Sequence, residues 1–171
     1  MTFKHCPECG NKNLTKDIGD DKNIPYCETC KRPWFPFSYT CIITLVVDEN
    51  ENFALIKQNI YNLPPDIYIL VAGFINPGET FEEAVKREVF EEIGLVADGV
   101  NYVNSYYFSK RDQIMAGFVT KVKHGEFKLS EEVDDAKWFS KDDVASAISK
   151  DSIVAQLFKD YKFSWVRNAP N

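Results

Sequence analysis

Apolar residues along this chain follow two patterns, one typical of strands and one typical of helices. Apolar runs bounded by turn residues predict six strands, at residues 40–48, 53–58, 66–74, 100–109, 113–122 and 135–139. The main helix is expected to begin after Thr80, where Glu83 completes a capping box, and to stop at Gly94. Shorter helices are expected at residues 140–149 and 152–161. This order of elements predicts an α/β sandwich with a mixed sheet.

The helix after Thr80 carries acidic residues where local stability does not favour them. Glu88, Glu91 and Glu92 stand at i, i+3 and i+4, so three carboxylates crowd one face of its last turn. The carbonyl end of the helix dipole repels anions there. Glu88 and Glu92 also share the apolar arc of the helix, where an unpaired charge is costly. The cluster indicates a hard dication, Mg²⁺ or Mn²⁺, and a solvated acidic face is the alternative.

The stretch GFINPGETFEEAVKREVFEEIGL, from Gly73 to Leu95, resembles the Nudix hydrolase box at every defined position, including Glu79, Arg87 and Gly94. The resemblance implies a Nudix α/β/α sandwich that hydrolyses a nucleoside diphosphate linked to another moiety. It implies that Mg²⁺ or Mn²⁺ is held by Glu88, Glu91 and Glu92, and that the Ala72 carbonyl adds a further ligand. It also implies that Glu79 and Arg87 pair and brace the loop against the helix.

The first thirty residues contain two C-x2-C pairs, Cys6 with Cys9 and Cys27 with Cys30, separated by 17 residues. This spacing predicts a four-cysteine zinc ribbon with a structural zinc, and a redox pair or unrelated thiols are the alternatives. Four cysteine ligands leave no open position for catalysis. Cys41 lies outside the pattern, in an apolar run, and is expected to be a buried small hydrophobe.

The sequence therefore predicts a zinc ribbon at residues 1–32, a linker at 33–39 and a Nudix domain at 40–171. The segment KRPWFPFS, residues 31–38, contains two prolines and three aromatic residues. An extended segment whose aromatic rings join the two modules is favoured over a basic and aromatic surface for RNA. Its aromatic residues are also candidates for a homodimer contact, which stays open.

Charge and hydropathy narrow the expected partners. The chain has 26 acidic and 20 basic residues, a net charge of −6, which argues against a protein that binds the phosphate backbone. Residues 1–32 carry six basic and five acidic side chains, so the ribbon is nearly neutral and nucleic acid is an unlikely partner. No run approaches the roughly 18 apolar residues of a membrane span, and the first residues lack the apolar core of a secretion signal. A soluble, cytoplasmic protein with no membrane partner is expected.

A zinc ribbon ahead of this box resembles the NADH pyrophosphatase branch of the Nudix family. That branch carries SQPWPFP-x-S after the box and then an apolar stretch ending in Gly-Phe. Here the corresponding stretch, Ser105 to Phe118, keeps the ending but lacks the prolines and the tryptophan. The expected substrate is therefore NAD(H), ADP-ribose or a related dinucleotide. Glu132, ahead of the Ala136 to Phe139 strand, resembles the branch's further metal-ligating glutamate, and Glu131 is the alternative.

Substrate contacts are expected from the loop and from the strand after the box. Tyr106, Tyr107 and Phe108 are expected to stack on a base, and Lys110 or Arg111 to contact a phosphate. Phe74 is a further expected substrate contact. The alternative for the three strand aromatics is a place in the core, because only one face of a strand can point into a cleft.

The expected chemistry is attack of water on one phosphorus of a P–O–P bridge, which gives two monophosphates. Glu88 and Glu92 are expected to be the principal ligands, with Glu91 and Glu132 as ligands or as the base. A competing hypothesis is a binding protein, in which the ribbon holds RNA or a protein and the Nudix domain senses a nucleotide.

Overall fold

The computed structural model describes residues 3–58 and 64–168, with side chains up to Tyr161. The chain divides into two compact units, one ending at Tyr39 and the other beginning at Thr40. Within the described ranges, no helix combines the length and the apolar character needed to cross a bilayer.

The N-terminal unit is a three-stranded antiparallel sheet built from β1 (Leu14–Ile18), β2 (Asp21–Cys27) and β3 (Arg32–Pro33), in the order β1-β2-β3. One cysteine pair lies around the turn before β1, and the other joins Cys27, the last residue of β2, to Cys30 in the turn that follows. The Asn11 side-chain amide donates to the Thr29 hydroxyl at 2.8 Å and joins the two turns. The short strands thus bring together cysteines that are far apart in sequence.

Part of the segment predicted as a linker packs within this N-terminal unit. Pro33 pairs with Tyr26, and the Trp34 backbone N–H donates to the Pro25 carbonyl at 2.8 Å. The rings of Trp34 and Phe37 each lie 5.6 Å from the ring of Phe3. These aromatic side chains therefore contribute to a small apolar cluster of the N-terminal unit.

The C-terminal unit contains a six-stranded mixed sheet and three helices. The strands are β4 (Tyr39–Val47), β5 (Phe53–Gln58), β6 (Val71–Phe74), β7 (Ala97–Phe108), β8 (Gln113–Val122) and β9 (Val133–Phe139). Their order is β7-β8-β4-β5-β9, and β6 pairs with the first half of β4. The helices are α1 (Phe81–Ile93), α2 (Val144–Ala147) and α3 (Ile153–Asn168).

The sheet separates two apolar cores because successive side chains of a strand point to opposite faces. On β4, Ile42 and Val46 belong to the core that contains Val85 and Val89 of α1. Leu45, on the opposite face, belongs to the core formed with α2 and α3. The expected α/β/α sandwich with a mixed sheet is confirmed.

Two predicted elements are shorter than expected. The strand predicted at 66–74 begins only at Val71, because the Tyr68 N–H donates to the Ala147 carbonyl at 2.8 Å and draws this segment toward α2. The helix predicted from Ser140 begins at Val144, because Ser140 and Asp143 hydrogen-bond to each other in a turn. Strands β5 and β8 have the predicted bounds.

Candidate active site and zinc site

Helix α1 is fixed at both ends, which sets the position of its carboxylates. The Glu83 N–H donates to the Thr80 hydroxyl at 3.3 Å, and the Thr80 N–H donates to the Glu83 carboxylate at 2.8 Å. At the other end Gly94 adopts the left-handed conformation with φ of 72°, and its N–H donates to the Phe90 carbonyl at 2.9 Å. The predicted capping box and glycine stop are both confirmed.

The Arg87 guanidinium lies at the centre of the contacts between this helix and the preceding loop. Its Nε and Nη2 donate to the two oxygens of Glu79 at 2.6 and 2.9 Å, and Nη2 also donates to the Phe74 carbonyl at 2.9 Å. Its Nη1 donates to Glu88 at 2.7 Å and to Glu91 at 3.0 Å. The hydrogen bonds from Arg87 and from the Asn76 backbone lower the pKa of Glu79 to about 2. The structure thus contains the Glu79–Arg87 brace implied by the box.

Glu92 is a buried acid, with only 5% of its surface exposed. Its Oε1 accepts a hydrogen bond from the Gln58 amide at 2.7 Å, whereas its Oε2 has no donor among the described residues. Burial, together with repulsion from Glu88 and Glu132, raises the pKa of Glu92 to about 8. Burial also raises the pKa of Glu88. A buried carboxylate with a free oxygen requires either a proton or a cation.

Gly73 of β6 lies directly against the Glu88 carboxylate. A Cβ atom built at this position would stand 1.9 Å from Glu88 Oε1 and 2.0 Å from its carboxyl carbon. Only glycine therefore allows the carboxylate to approach the strand this closely. The first glycine of the box has a steric role in the arrangement of the acids.

These residues line a cleft of about 290 Å³ at the end of the sheet. Eight of the predicted site residues line it: Ala72, Gly73, Phe74, Arg87, Glu88, Glu92, Arg111 and Glu132. Glu91 does not belong to this lining, since its side chain is 57% exposed and points to Arg87. The lining of the cleft thus combines carboxylates with the Arg111 guanidinium.

The three aromatic residues predicted to stack on a base do not line this cleft. Tyr106 is buried in the core formed with α2 and α3, and its hydroxyl donates to Asp160 at 2.8 Å. Burial and this contact raise the pKa of Tyr106. Tyr107 is 61% exposed and donates to Asp112 at 2.9 Å, whereas Phe108 is half-buried. For Tyr106 the structure matches the alternative of a core position, whereas stacking by Tyr107 and Phe108 stays a prediction.

The cleft also contains residues that sequence reasoning did not select: Cys41, Gln58, Asn76, Gln113 and Met115. Cys41 is buried as expected, but it lies beside the site. Gln58 is the last residue of a predicted strand, and a polar residue in that place carries no distinctive signal. Its contact with Glu92 depends on a strand and a helix that are distant in sequence.

The carboxylates fit a hard cation better than any other cofactor. The unpaired Oε2 of Glu92 and the adjacent Glu88 offer anionic oxygen atoms, which Mg²⁺ and Mn²⁺ prefer. Among the described residues, the carboxylates of this cleft do not provide three ligand oxygens that all lie within 4.8 Å of one another. Part of this spacing between carboxylates arises because Arg87 Nη1 donates hydrogen bonds to both Glu88 and Glu91.

The four cysteines of the N-terminal unit fit zinc. Their sulfur atoms all lie within 4.8 Å of one another, with 3.8 Å between Cys6 and Cys30 and 3.5 Å between Cys9 and Cys27. Tetrahedral zinc with Zn–S distances of about 2.3 Å requires sulfur atoms roughly 3.8 Å apart. All four are free thiols rather than disulfides. The arrangement is compatible with the predicted zinc ribbon.

An α/β/α sandwich with a glycine-containing loop, an arginine brace and a capped acidic helix defines a Nudix-type domain. Residues 39–161 match the family model described as NUDIX domain, and the chain belongs to the Nudix family.

Curated relatives extend the similarity beyond the box. The chain is 36% identical over 151 residues to Nudix hydrolase 19, chloroplastic, from Arabidopsis thaliana, a match that covers 84% of this chain and 34% of that protein. It is 36% identical over 142 residues to the NAD-capped RNA hydrolase NudC from Haemophilus influenzae, which covers 82% of this chain and 53% of the relative. The chain thus spans between a third and about half of the length of these relatives.

Among solved structures, a NUDIX hydrolase from Nitrosomonas europaea superposes with a TM-score of 0.72 at 20% identity. The match covers 98% of this chain and 95% of that one. At this identity the likeness supports the fold.

Proposed function

We propose that this chain is a metal-dependent pyrophosphohydrolase, which splits NAD(H), ADP-ribose or a related NAD-linked diphosphate into two monophosphates. The observation that carries the proposal is the buried Glu92, whose free Oε2 lies in the same cleft as Glu88 and Arg111. The similarity to proteins named NAD-capped RNA hydrolases supports an NAD-linked substrate.

In the proposed site Glu88 and Glu92 hold Mg²⁺ or Mn²⁺ as principal ligands, and the Ala72 carbonyl is a further ligand. Glu91 and Glu132 each act as a further ligand or as the base. When bound, the cations screen the diphosphate charge and make a water more acidic. Arg87 fixes the loop against the helix through Glu79 and keeps Glu88 in place. The Arg111 guanidinium lines the cleft and is suited to bind a substrate phosphate. The exposed ring of Phe74 is suited to stack on a base.

The reaction adds water across the P–O–P bridge. The water oxygen forms a bond to one phosphorus, and the bridging oxygen leaves with the other phosphate. One water proton passes to a carboxylate of the cleft, and the other stays on the new phosphate oxygen. Since Glu92 and Glu88 influence each other's protonation, the base belongs to the cluster rather than to one residue.

The net charge of the chain does not suggest a nucleic-acid substrate, but the names of its relatives do. A relative named for NAD-capped RNA extends the proposed substrates to RNA that carries an NAD-linked end. The competing hypothesis remains a protein that binds RNA, a protein partner or a nucleotide without turnover. Both hypotheses include a structural zinc in the ribbon. Both also place the protein in a reducing compartment such as the cytoplasm, because cysteine ligands stay reduced there.

The test is a panel of NADH, NAD⁺, ADP-ribose, diadenosine polyphosphates, nucleoside-diphosphate sugars, nucleoside triphosphates and NAD-capped RNA, each incubated with Mg²⁺ and with Mn²⁺. NAD-linked compounds should be cleaved fastest. NAD⁺ and NADH should give AMP with nicotinamide mononucleotide or its reduced form, and ADP-ribose should give AMP with ribose 5-phosphate. Glu92→Gln keeps the shape of the side chain and should abolish turnover. If nothing turns over while RNA is retained on a column in a salt-dependent way, the binding hypothesis replaces this one.

A further inference from the structure

The Gln58 side chain makes the one described hydrogen bond to Glu92. Its amide nitrogen donates to Glu92 Oε1 at 2.7 Å, and both residues line the cleft. Glu92 Oε2 has no donor in the described part of the chain, and water has little access to it because the residue is only 5% exposed. The amide therefore occupies one oxygen of the acid and leaves the other for a partner in the cleft.

An irregularity in the sheet accompanies this contact. Along β5 and β9, Lys57 pairs with Asp135 but Gln58 pairs with Val133, so Asp134 is an extra residue on β9. Such a bulge bends a strand and re-aims the side chains beside it. Glu132, the residue before β9, lines the cleft together with Gln58. The end of this strand pair thus delivers both a neutral amide and an acid to the surroundings of Glu92.

The chemistry of the side chain matters as well as its position. An amide N–H donates to a carboxylate without adding a charge, so Glu92 keeps its full charge for a cation. A carboxylate in place of Gln58 would repel Glu92, and an apolar side chain would leave both oxygens of this buried acid without a donor. Glutamine therefore suits a role in orienting Glu92.

We propose that Gln58 is a positioning residue, whose amide holds Glu92 Oε1 so that Oε2 faces the divalent cation of the cleft. This inference rests on the proposed metal-dependent function. It assigns a role to a residue outside the Nudix box, contributed by a different element of the sheet. Partners that orient a metal ligand typically change metal affinity by about 10- to 100-fold when they are removed.

The test compares Gln58→Met with Gln113→Met in the zinc-loaded full chain. Both substitutions replace a glutamine of the same cleft by an apolar side chain of similar length, but it is Gln58 whose amide donates the described hydrogen bond to Glu92. Binding of Mn²⁺ is measured by electron paramagnetic resonance at one pH, without substrate. Gln58→Met should weaken Mn²⁺ binding about 10- to 100-fold, whereas Gln113→Met should retain the affinity of the unmodified chain.

Turnover at increasing Mn²⁺ separates positioning from loss of structure. For Gln58→Met, a higher Mn²⁺ concentration should restore most of the kcat, because the defect lies in holding the cation. The inference is overturned if Gln58→Met binds Mn²⁺ as the unmodified chain does, or if both methionine variants lose affinity equally. If the unmodified chain itself binds no Mn²⁺, the proposed function fails, which is a different result from failure at Gln58 alone.

Discussion

Gly73→Ala tests the arrangement of the acids with the smallest possible change. The added Cβ atom would lie 1.9 Å from Glu88 Oε1 and 2.6 Å from its Oε2, far inside van der Waals contact. Gly73 does not lie in the left-handed region, so the backbone itself accepts alanine. The strain therefore falls on the Glu88 carboxylate, which must leave its place beside β6.

The expected effect on stability is modest. Overpacking a methyl group costs about 1–3 kcal/mol, and the lower part of that range applies because the clashing atoms are the end of a side chain that can rotate. At about 2–4 °C per kcal/mol, a cost of about 1–2 kcal/mol lowers the melting temperature by roughly 2–8 °C. The effect on Mn²⁺ affinity should be larger, at least the roughly 10- to 100-fold loss caused by disturbing a ligand's partner, because the ligand itself moves.

The assay combines urea denaturation with Mn²⁺ titration in a double-mutant cycle. Gly99→Ala is the matched control, since a Cβ atom there has nothing within 4 Å and the backbone is compatible with alanine. This control should leave both quantities unchanged or stabilise slightly. In a Glu88→Ala background, Gly73→Ala should cost almost nothing, because the clashing carboxylate is gone. An equal cost in both backgrounds would refute the steric explanation, and unchanged Mn²⁺ affinity would show that Glu88 is not a ligand.

Three further predictions concern other parts of the molecule. Burial raises the pKa of Glu92 to about 8, from about 4.3 in an unfolded chain, so the folded state binds this proton more tightly. The stability that the proton confers is complete below about pH 4.3 and is lost progressively as the pH rises to about 8. Without added Mg²⁺ or Mn²⁺, urea denaturation should therefore show Glu92→Gln more stable than the unmodified chain at about pH 9, with the difference shrinking toward about pH 6; a difference independent of pH would contradict this. Cys9→Ser should abolish stoichiometric zinc binding, measured by atomic absorption, and make the N-terminal unit sensitive to protease, whereas Cys41→Ser should keep its zinc. Tyr106→Phe removes a hydroxyl that donates to Asp160 and should cost about 1 kcal/mol of stability without changing KM, because Tyr106 packs away from the cleft; a raised KM would restore its predicted role in substrate binding.

Local spacing in the sequence was sufficient for the helix and the cysteine pairs. Thr80, Glu83 and Gly94 define the ends of α1 through contacts within a few residues. Helical periodicity placed Glu92 on the apolar arc, and the structure buries it. The C-x2-C spacing likewise brought four sulfur atoms together once the short strands formed.

Features that depend on strand pairing could not be predicted in the same way. The Gln58 contact with Glu92 joins residues 34 positions apart in the sequence. It lies beside the register shift between β5 and β9, which the local sequence pattern does not predict. Alternation along β7 limits which aromatic side chains share a face, but it does not say which face meets the cleft. Tyr106 points to the core with α3. Of the residues in this segment that were predicted to contact the substrate, it is Arg111, after the strand, that lines the cleft.

The most direct measurement of the central claim is hydrolysis of NADH by the purified chain, with Mg²⁺ or Mn²⁺, in water labelled with heavy oxygen. Mass spectrometry of the products should show reduced nicotinamide mononucleotide and AMP, with the label on one of the two new phosphates. Glu92→Gln should give neither product. Absence of cleavage for NADH, NAD⁺ and ADP-ribose alike, or full activity of Glu92→Gln, would contradict the assignment of this cleft as a pyrophosphohydrolase site.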